Sequence, residues 1–173
     1  FTALPDEEFD AAFGVDTGAA VIFGATGGVM EAALRTAAEV IEGKPLESVD
    51  FNEVRGVEGV KLASYKLGDI TLNVAVASGT ANAKKVLDAV KAGELDVQFI
   101  EIMACPGGCV NGGGQPYFSN AKEARSKGLY EADRMLSIRR SQENPIVNSV
   151  YKKIIKDRAH ELLHVHYTAK HED

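Results

Sequence analysis

The sequence predicts an α/β fold, with a small twisted mixed sheet flanked by helices and a helical C-terminal extension. Strand and helix patterns alternate through the first part of the chain, and only helical patterns follow them. The 173 residues are 45% hydrophobic and 25% charged, a composition typical of a globular protein with a buried core. We therefore expect an α/β lobe over residues 1–120. A helical extension over residues 121–173 would pack on the lobe or on a partner.

The first strand and helix are predicted from one apolar run and one helical period. Residues 19–23 are apolar throughout and end at a glycine, which predicts a buried strand. A helix then begins at Thr26 or Gly27, because apolar residues recur at helical spacing from there to Ile41. The segment Gly-Lys-Pro at residues 43–45 is expected to end this helix.

The rest of the lobe reads as a hairpin, a helix and a last strand. Residues 60–66 and 70–77 alternate between apolar and polar residues around a turn at residues 67–69. Residues 81–91 predict a second helix, with Val86, Leu87 and Val90 facing inward. Residues 97–103 predict the strand that leads into the cysteine-containing segment.

The C-terminal part carries no strand pattern and is richly charged. Its helical pieces are predicted at residues 122–127, 131–139, 145–156 and 158–166. Helices of this length cannot bury an apolar face alone, so we expect them to pack against the lobe or a partner.

Composition excludes several classes of protein. The net charge of −6 argues against nucleic acid as a partner, and no apolar run approaches the roughly 20 residues of a membrane span. Two cysteines in 173 residues are too few for a disulfide framework, and no secretory signal is visible, so we predict a cytoplasmic location. The first residue is Phe1 and not methionine, which leads us to expect a piece of a longer protein.

The most informative segment is residues 101–116, EIMACPGGCVNGGGQP. It holds both cysteines, Cys105 and Cys109, with five glycines and two prolines. Such a segment lets backbone approach a bulky group closely, which favours a loop around a metal–sulfur cluster. Two incidental thiols in a glycine-rich turn explain the pattern equally well. The C-x3-C spacing matches neither the common zinc pairs nor the C-x2-C redox motif.

Four segments together resemble one family. Residues 103–116 resemble the third cysteine signature of the iron-only hydrogenases, and residues 23–35, FGATGGVMEAALR, resemble that family's strand–turn–helix. Residues 139–145, RRSQENP, and 160–164, HELLH, resemble its C-terminal segment. The resemblance covers essentially the whole chain and implies the C-terminal portion of the catalytic subunit, one lobe of its catalytic domain.

The resemblance implies roles for individual residues. Cys105 would ligate a 4Fe–4S cubane, and Cys109 would ligate the cubane and bridge to a di-iron subcluster that carries CO, CN and a dithiolate. Phe23 and Met103 would line the catalytic pocket around the di-iron unit. At two further positions, Gly24 and Gly108, the backbone would approach the cofactor.

The resemblance also implies a reaction and partners. The reaction is the reversible conversion of two protons and two electrons to H2. Because this chain has two thiolates where four are needed, the remainder of the catalytic subunit would supply the other two cluster cysteines. Ferredoxin or another electron carrier, such as an NAD-linked one, would exchange electrons with it. The alternatives are a non-catalytic iron–sulfur assembly or sensory relative, and an inactive apo fragment.

Two further motifs have simpler interpretations. The glycine-rich segment 24–28 precedes a helix and could cradle a phosphate, but it lacks a P-loop lysine, and a tight turn fits it as well. An H-E-x-x-H pattern at His160, Glu161 and His164 matches zinc proteases, yet only His166 and His171 remain as further histidine ligands. We therefore favour histidines that pack the terminal helix.

Charged residues near the motifs also have ordinary interpretations. Glu31 and Arg35 lie one helical turn apart, so we expect an ion pair. A basic segment could receive an acidic carrier, although a solvated helix face explains it as well; it comprises Lys152, Lys153, Lys156 and Arg158.

Overall fold

The computed structural model describes residues 2–7, 15–116 and 120–169. Two compact units are present. The larger spans residues 16–143, and the smaller combines residues 1–15 with residues 144–173. The larger unit contains the sheet, both cysteines and the first helix after them. The predicted division of the chain near residue 120 stays a prediction.

A three-stranded mixed sheet forms the centre of the larger unit. Strand β1 (Val60–Leu67) pairs antiparallel with β2 (Ile70–Ser78), and β2 pairs parallel with β3 (Phe99–Met103), in the order β1-β2-β3. The predicted hairpin and last strand are therefore confirmed to within about two residues. Gly68 adopts φ 57° in the hairpin turn, a conformation that suits glycine.

A helix covers each face of the sheet. Helix α2 (Gly28–Glu42) packs its apolar side on alternate residues of β2, and α3 (Thr80–Lys91) packs on the residues between them. The first face includes Met30, Leu34, Val74 and Val76, and the second includes Ala75, Ala77, Ala83 and Val86. Both helices confirm the sequence prediction. Leu87 is an exception, because it is 40% exposed and does not face inward.

The predicted strand at residues 19–23 is wrong. This stretch forms the short helix α1 (Gly18–Val21) followed by a 3-10 turn at Ile22–Gly24. The hydroxyl of Thr17 accepts a hydrogen bond from the Ala20 amide at 3.2 Å and caps the helix. Ile22 is buried in a small cluster that contains no strand residue; its other members are Ala19, Ala25, Ala32 and Tyr130. The apolar run is therefore buried against helices rather than paired in the sheet.

Helix α4 (Lys122–Met135) follows the cysteine segment and packs against α1. It joins the predicted pieces 122–127 and 131–139 into one continuous helix that ends at Met135. A 3-10 turn at Ser141–Glu143 closes the larger unit.

The smaller unit consists of short helical elements. Helix α5 (Pro145–Val150) continues as a π-helical turn (Tyr151–Ile155), and α6 (Ala159–Leu163) follows. The Asn144 side chain accepts hydrogen bonds from the first amides of α5 and donates one to the carbonyl of Val15 at 2.9 Å. Within the described part of the chain, no helix is long and apolar enough to cross a membrane.

Candidate functional site

Both cysteines lie in the loop that leaves the carboxyl end of β3, residues 104–116, which we term the cysteine loop. Cys105 is half-buried and Cys109, the first residue of a 3-10 turn (Cys109–Asn111), is exposed. Both are free thiols. A free thiol can bind metal once it loses its proton, so the loop presents two candidate ligands.

The end of strand β2 holds the start of the cysteine loop. The hydroxyl of Ser78 accepts a hydrogen bond from the Gly107 amide at 2.6 Å and donates one to the carbonyl of Cys105 at 3.3 Å. Next to it, the carbonyl of Met103 accepts from the Gly79 amide at 2.7 Å. The backbone around Cys105 is thus fixed to the sheet, which limits the positions its thiol can take.

Glycine residues bring the cysteine loop against a second segment, residues 24–28, which we term the glycine turn. A Cβ on Gly108 would lie 2.7 Å from the Gly24 carbonyl oxygen and 2.7 Å from the Thr26 nitrogen. The Thr26 amide donates to the carbonyl of Gly107 at 3.1 Å. Two of the predicted site residues, Gly24 and Gly108, are therefore in direct backbone contact.

The cysteine loop also folds back on its own first thiol. A Cβ on Gly112 would lie 3.3 Å from Cys105 Sγ, closer than most Cβ contacts. Phe23, in the 3-10 turn before the glycine turn, is 46% exposed, and Met103 is half-buried at the end of β3. An exposed phenylalanine beside such a loop leaves apolar surface for another group to cover.

Helix α2 is capped by a residue that the sequence analysis missed. Glu101, a buried residue of β3, accepts hydrogen bonds from the amides of Gly27 and Met30 at 2.6 and 2.7 Å. Its carboxylate occupies the helix N-terminus where a bound phosphate would sit. The phosphate-cradle interpretation of the glycine turn is therefore wrong, because the protein supplies its own anion.

A second missed residue lies on the other side of the glycine turn. The buried ammonium group of Lys61 donates to the carbonyls of Thr26 and Gly56 at 3.0 and 2.8 Å. Burial lowers the pKa of Lys61 to about 8, while the charges of Glu101 and Glu58 oppose that shift. The alternation of apolar and polar residues along β1 did not indicate that this lysine is buried.

A buried ionic network supports α2 below the glycine turn. Arg35 is fully buried and donates to both carboxylate oxygens of Asp133 and to Glu31, each at 2.8 Å. The predicted Glu31–Arg35 pair is therefore confirmed. Burial raises the pKa of Asp133, but hydrogen bonds from Arg35 and Arg139 outweigh it and hold that pKa below its usual value. The network ties α2 to α4.

The side chains available as metal ligands limit which metal group this chain can bind. Among the described residues, no group of three or more His, Cys, Asp and Glu side chains is arranged around a common metal position. Cys105 and Cys109 supply two thiols on a loop whose glycines leave no room for side chains at the points of contact. This fits half of a four-thiolate cluster site and not a complete one.

The histidine motif does not form a zinc-protease site. Glu161 is bound by Arg158 at 2.7 and 3.0 Å, and the rings of His160 and His164 contact each other, with centroids 4.5 Å apart. The ring centroid of His166 lies 5.4 Å from that of His160, and His171 falls outside the described residues. These side chains are exposed on a five-residue helix and its C-terminal end.

Comparison with known proteins connects this loop to a family. Residues 1–113 match the profile described as "Iron only hydrogenase large subunit, C-terminal domain", and residues 119–170 match "Iron hydrogenase small subunit". The chain belongs to the iron-only hydrogenase family. The resemblance found in the four sequence segments is thereby confirmed.

Relatives and solved structures cover almost the whole chain. It is 50% identical to a NADP-reducing hydrogenase subunit of Solidesulfovibrio fructosivorans and 43% identical to iron hydrogenase 1 of Clostridium pasteurianum, each over 96% of this chain. The FeFe-hydrogenase HydA1 of Chlamydomonas reinhardtii aligns with a TM-score of 0.69 and 41% identity over 96% of this chain and 50% of that one. The predicted fold class, one lobe of an iron-only hydrogenase catalytic domain, is therefore confirmed.

The matches also define how much of a hydrogenase is present. The chain spans 30% of the Solidesulfovibrio fructosivorans subunit and 31% of the Clostridium pasteurianum enzyme. This chain contains the cysteine loop and the glycine turn, and it has two cysteines in all.

Proposed function

We propose that this chain is the C-terminal portion of an iron-only hydrogenase catalytic domain and that, with the remainder of the subunit, it catalyses the reversible reduction of protons to H2. The family membership supports the reaction class. The observation that carries the proposal is the cysteine loop, whose Gly108 touches the glycine turn at Gly24 while Cys109 stays exposed. An exposed thiol on a rigid loop is suited to meet a cluster held partly by another segment.

Each thiol has a proposed role. Cys105 would hold the cubane, and Cys109 would hold both the cubane and the di-iron unit. Support comes from their surroundings, because the Cys105 backbone is fixed by Ser78 and its thiol lies against Gly112, while Cys109 is open to a partner. When bound, the cluster supplies the electron transfer and the iron chemistry of hydrogen conversion.

The protein's own residues bind, orient and shield. Two thiolates anchor the cluster, and the glycines of the loop allow backbone to approach it. Phe23 and Met103 are proposed to line the di-iron pocket, where the exposed ring of Phe23 would exclude water once covered. The two missing cluster cysteines come from the remainder of the subunit.

Several finer assignments belong to the proposal. An electron carrier, ferredoxin or an NAD-linked protein, is proposed to exchange electrons with the complete subunit. A cytoplasmic location is likewise part of the proposal. The CO and CN ligands and the bridging dithiolate are proposed for the di-iron unit on the basis of family membership.

The test uses this chain joined to the remainder of its catalytic subunit and matured anaerobically. In Cys109→Ser we expect loss of the infrared bands of the CO and CN ligands, because the bridging thiolate is gone. In Cys105→Ser we expect a damaged cubane signal by electron paramagnetic resonance. Normal band intensity in Cys109→Ser, or an unchanged cubane signal in Cys105→Ser, contradicts the assigned role of that cysteine.

The same preparation separates the enzyme from a non-catalytic relative. The proposal predicts hydrogen evolution from reduced carrier by the wild-type protein and none by Cys109→Ser. A wild-type protein that holds a cubane but shows neither CO and CN bands nor hydrogen evolution identifies an assembly or sensory relative instead. A wild-type protein without iron identifies an apo fragment.

A further inference from the structure

The glycine turn is held by polar groups that come from outside it. Helix α2 begins at this turn and has no side-chain cap of its own, since Gly27 is the N-cap residue. Glu101 supplies the cap from β3, through hydrogen bonds of 2.6 and 2.7 Å to the amides of Gly27 and Met30. Glu101 is four residues before Cys105. One carboxylate therefore joins the strand that carries the cysteine loop to the glycine turn.

Lys61 binds the glycine turn at a second position, the carbonyl of Thr26. Its ammonium group donates to the Thr26 carbonyl at 3.0 Å, while the Thr26 amide donates to Gly107 in the cysteine loop at 3.1 Å. Both charged side chains are buried, so each makes its hydrogen bonds in a medium of low dielectric, where they are strong and costly to lose. The opposite charges of Glu101 and Lys61 also stabilise each other.

The glycine turn has no room to relax by itself. A Cβ on Gly27 would lie 1.8 Å from the carbonyl oxygen of Val54, and a Cβ on Gly28 would lie 1.7 Å from that of Ile22. A turn packed this tightly moves as a unit with its anchors. Any shift at Glu101 or Lys61 is therefore passed to Gly107 and Gly108, directly before Cys109.

We propose that Glu101 and Lys61 are positioning residues that clamp the glycine turn against the cysteine loop and so set the place of Phe23 and Cys109 at the di-iron unit. The inference rests on the proposed function and adds two residues to its site. Neither side chain is proposed to touch the cofactor. They act through the backbone of the glycine turn.

The first experiment measures the clamp itself in this chain, without cofactor, by amide hydrogen exchange. Glu101→Gln keeps one acceptor oxygen in place of two, so one of the two amides, Gly27 or Met30, is expected to exchange about tenfold faster. Glu94→Gln, at an exposed position before β3, is the matched control and is expected to leave both amides unchanged. Unchanged exchange at both amides in Glu101→Gln overturns the proposal.

The second experiment measures the effect on the cofactor in the complete matured subunit. Glu101→Gln and Lys61→Met are expected to shift or weaken the CO and CN infrared bands while the cubane iron content stays normal. Lys66→Met, at an exposed position on the same strand as Lys61, is expected to match the wild type. A purely structural role would lower the unfolding temperature but leave the band positions of the folded protein unchanged.

The outcomes separate this inference from the proposed function. Unchanged bands in both variants, against a wild type that has them, overturn the positioning role and leave the hydrogenase proposal standing. A wild-type protein without CO and CN bands overturns the hydrogenase proposal and the positioning role together.

Discussion

The contact between the cysteine loop and the glycine turn predicts that Gly108→Ala is strongly destabilising. Gly108 has φ 96° and ψ −169°, a region that is essentially restricted to glycine. Holding alanine there costs about 1–3 kcal/mol. The added Cβ would also lie 2.7 Å from backbone atoms of Gly24 and Thr26, and overpacking of this kind costs about 1–3 kcal/mol. The free energy of unfolding should therefore fall by about 2–6 kcal/mol.

The assay is urea unfolding of this chain, followed by circular dichroism, with Gly113→Ala as the matched control. Gly113 lies in the same loop, has no atom within 4 Å of an added Cβ and does not adopt a positive φ. Alanine at position 113 should change the free energy of unfolding by less than about 1 kcal/mol. If both variants unfold at the same urea concentration, the close contact at Gly108 does not exist as described.

Three further predictions concern charged side chains that are buried or partly buried. Asp133→Ala leaves the buried Arg35 with one carboxylate partner, Glu31, in place of two and should lower the free energy of unfolding by about 3–5 kcal/mol, whereas Glu131→Ala, exposed on the same helix, should have little effect. Burial raises the pKa of Asp50, but hydrogen bonds from Arg139 and Arg55 outweigh it and lower that pKa to about 2. The stability from Asp50 is therefore present above about pH 4 and lost as the pH falls towards 2, and acid titrations of Asp50→Asn should lack this component. Between about pH 8 and 10 the unfolded chain binds a proton at Lys61 that the folded chain does not. As the pH rises through this range, the free energy of unfolding of the wild type should therefore increase relative to that of Lys61→Met, by up to about 1.4 kcal/mol per pH unit. Parallel pH dependence of the two proteins would contradict the burial of Lys61.

The sequence predicted the elements with a clear period and failed where the run was short. Helix α2 and the β1–β2 hairpin extend over many residues, so their periods identified them. The run at residues 19–23 is too short to show a period. Its helical structure depends on Thr17, which caps α1, and on packing against Tyr130, which is far away in the sequence. Adjacent alanines at positions 19 and 20, good helix formers, were the available signal.

The sequence drew attention to the two candidate ligands but not to the residues that hold the loop around them. Cys105 and Cys109 stood out because their spacing and the neighbouring glycines are unusual in the sequence, and their role as ligands stays a prediction. Glu101 and Lys61 lie in strands with no unusual sequence pattern. The amides that Glu101 binds are 71 and 74 residues away in the sequence, and the Thr26 carbonyl that Lys61 binds is 35 residues away. Local patterns carry no information about such distant hydrogen bonds. The Glu31–Arg35 pair was predictable by helical spacing, but its complete burial against Asp133 was not.

The central claim, that this chain contributes two thiolates to a shared hydrogenase cluster, is tested most directly by anaerobic native mass spectrometry with iron and sulfide analysis. The chain is joined to the remainder of its catalytic subunit and compared with the Cys105→Ser, Cys109→Ser double variant. Shared ligation of the cluster predicts a complex with several irons in the wild type and loss of that iron in the double variant. Equal iron in both proteins, or none in the wild type, would contradict it.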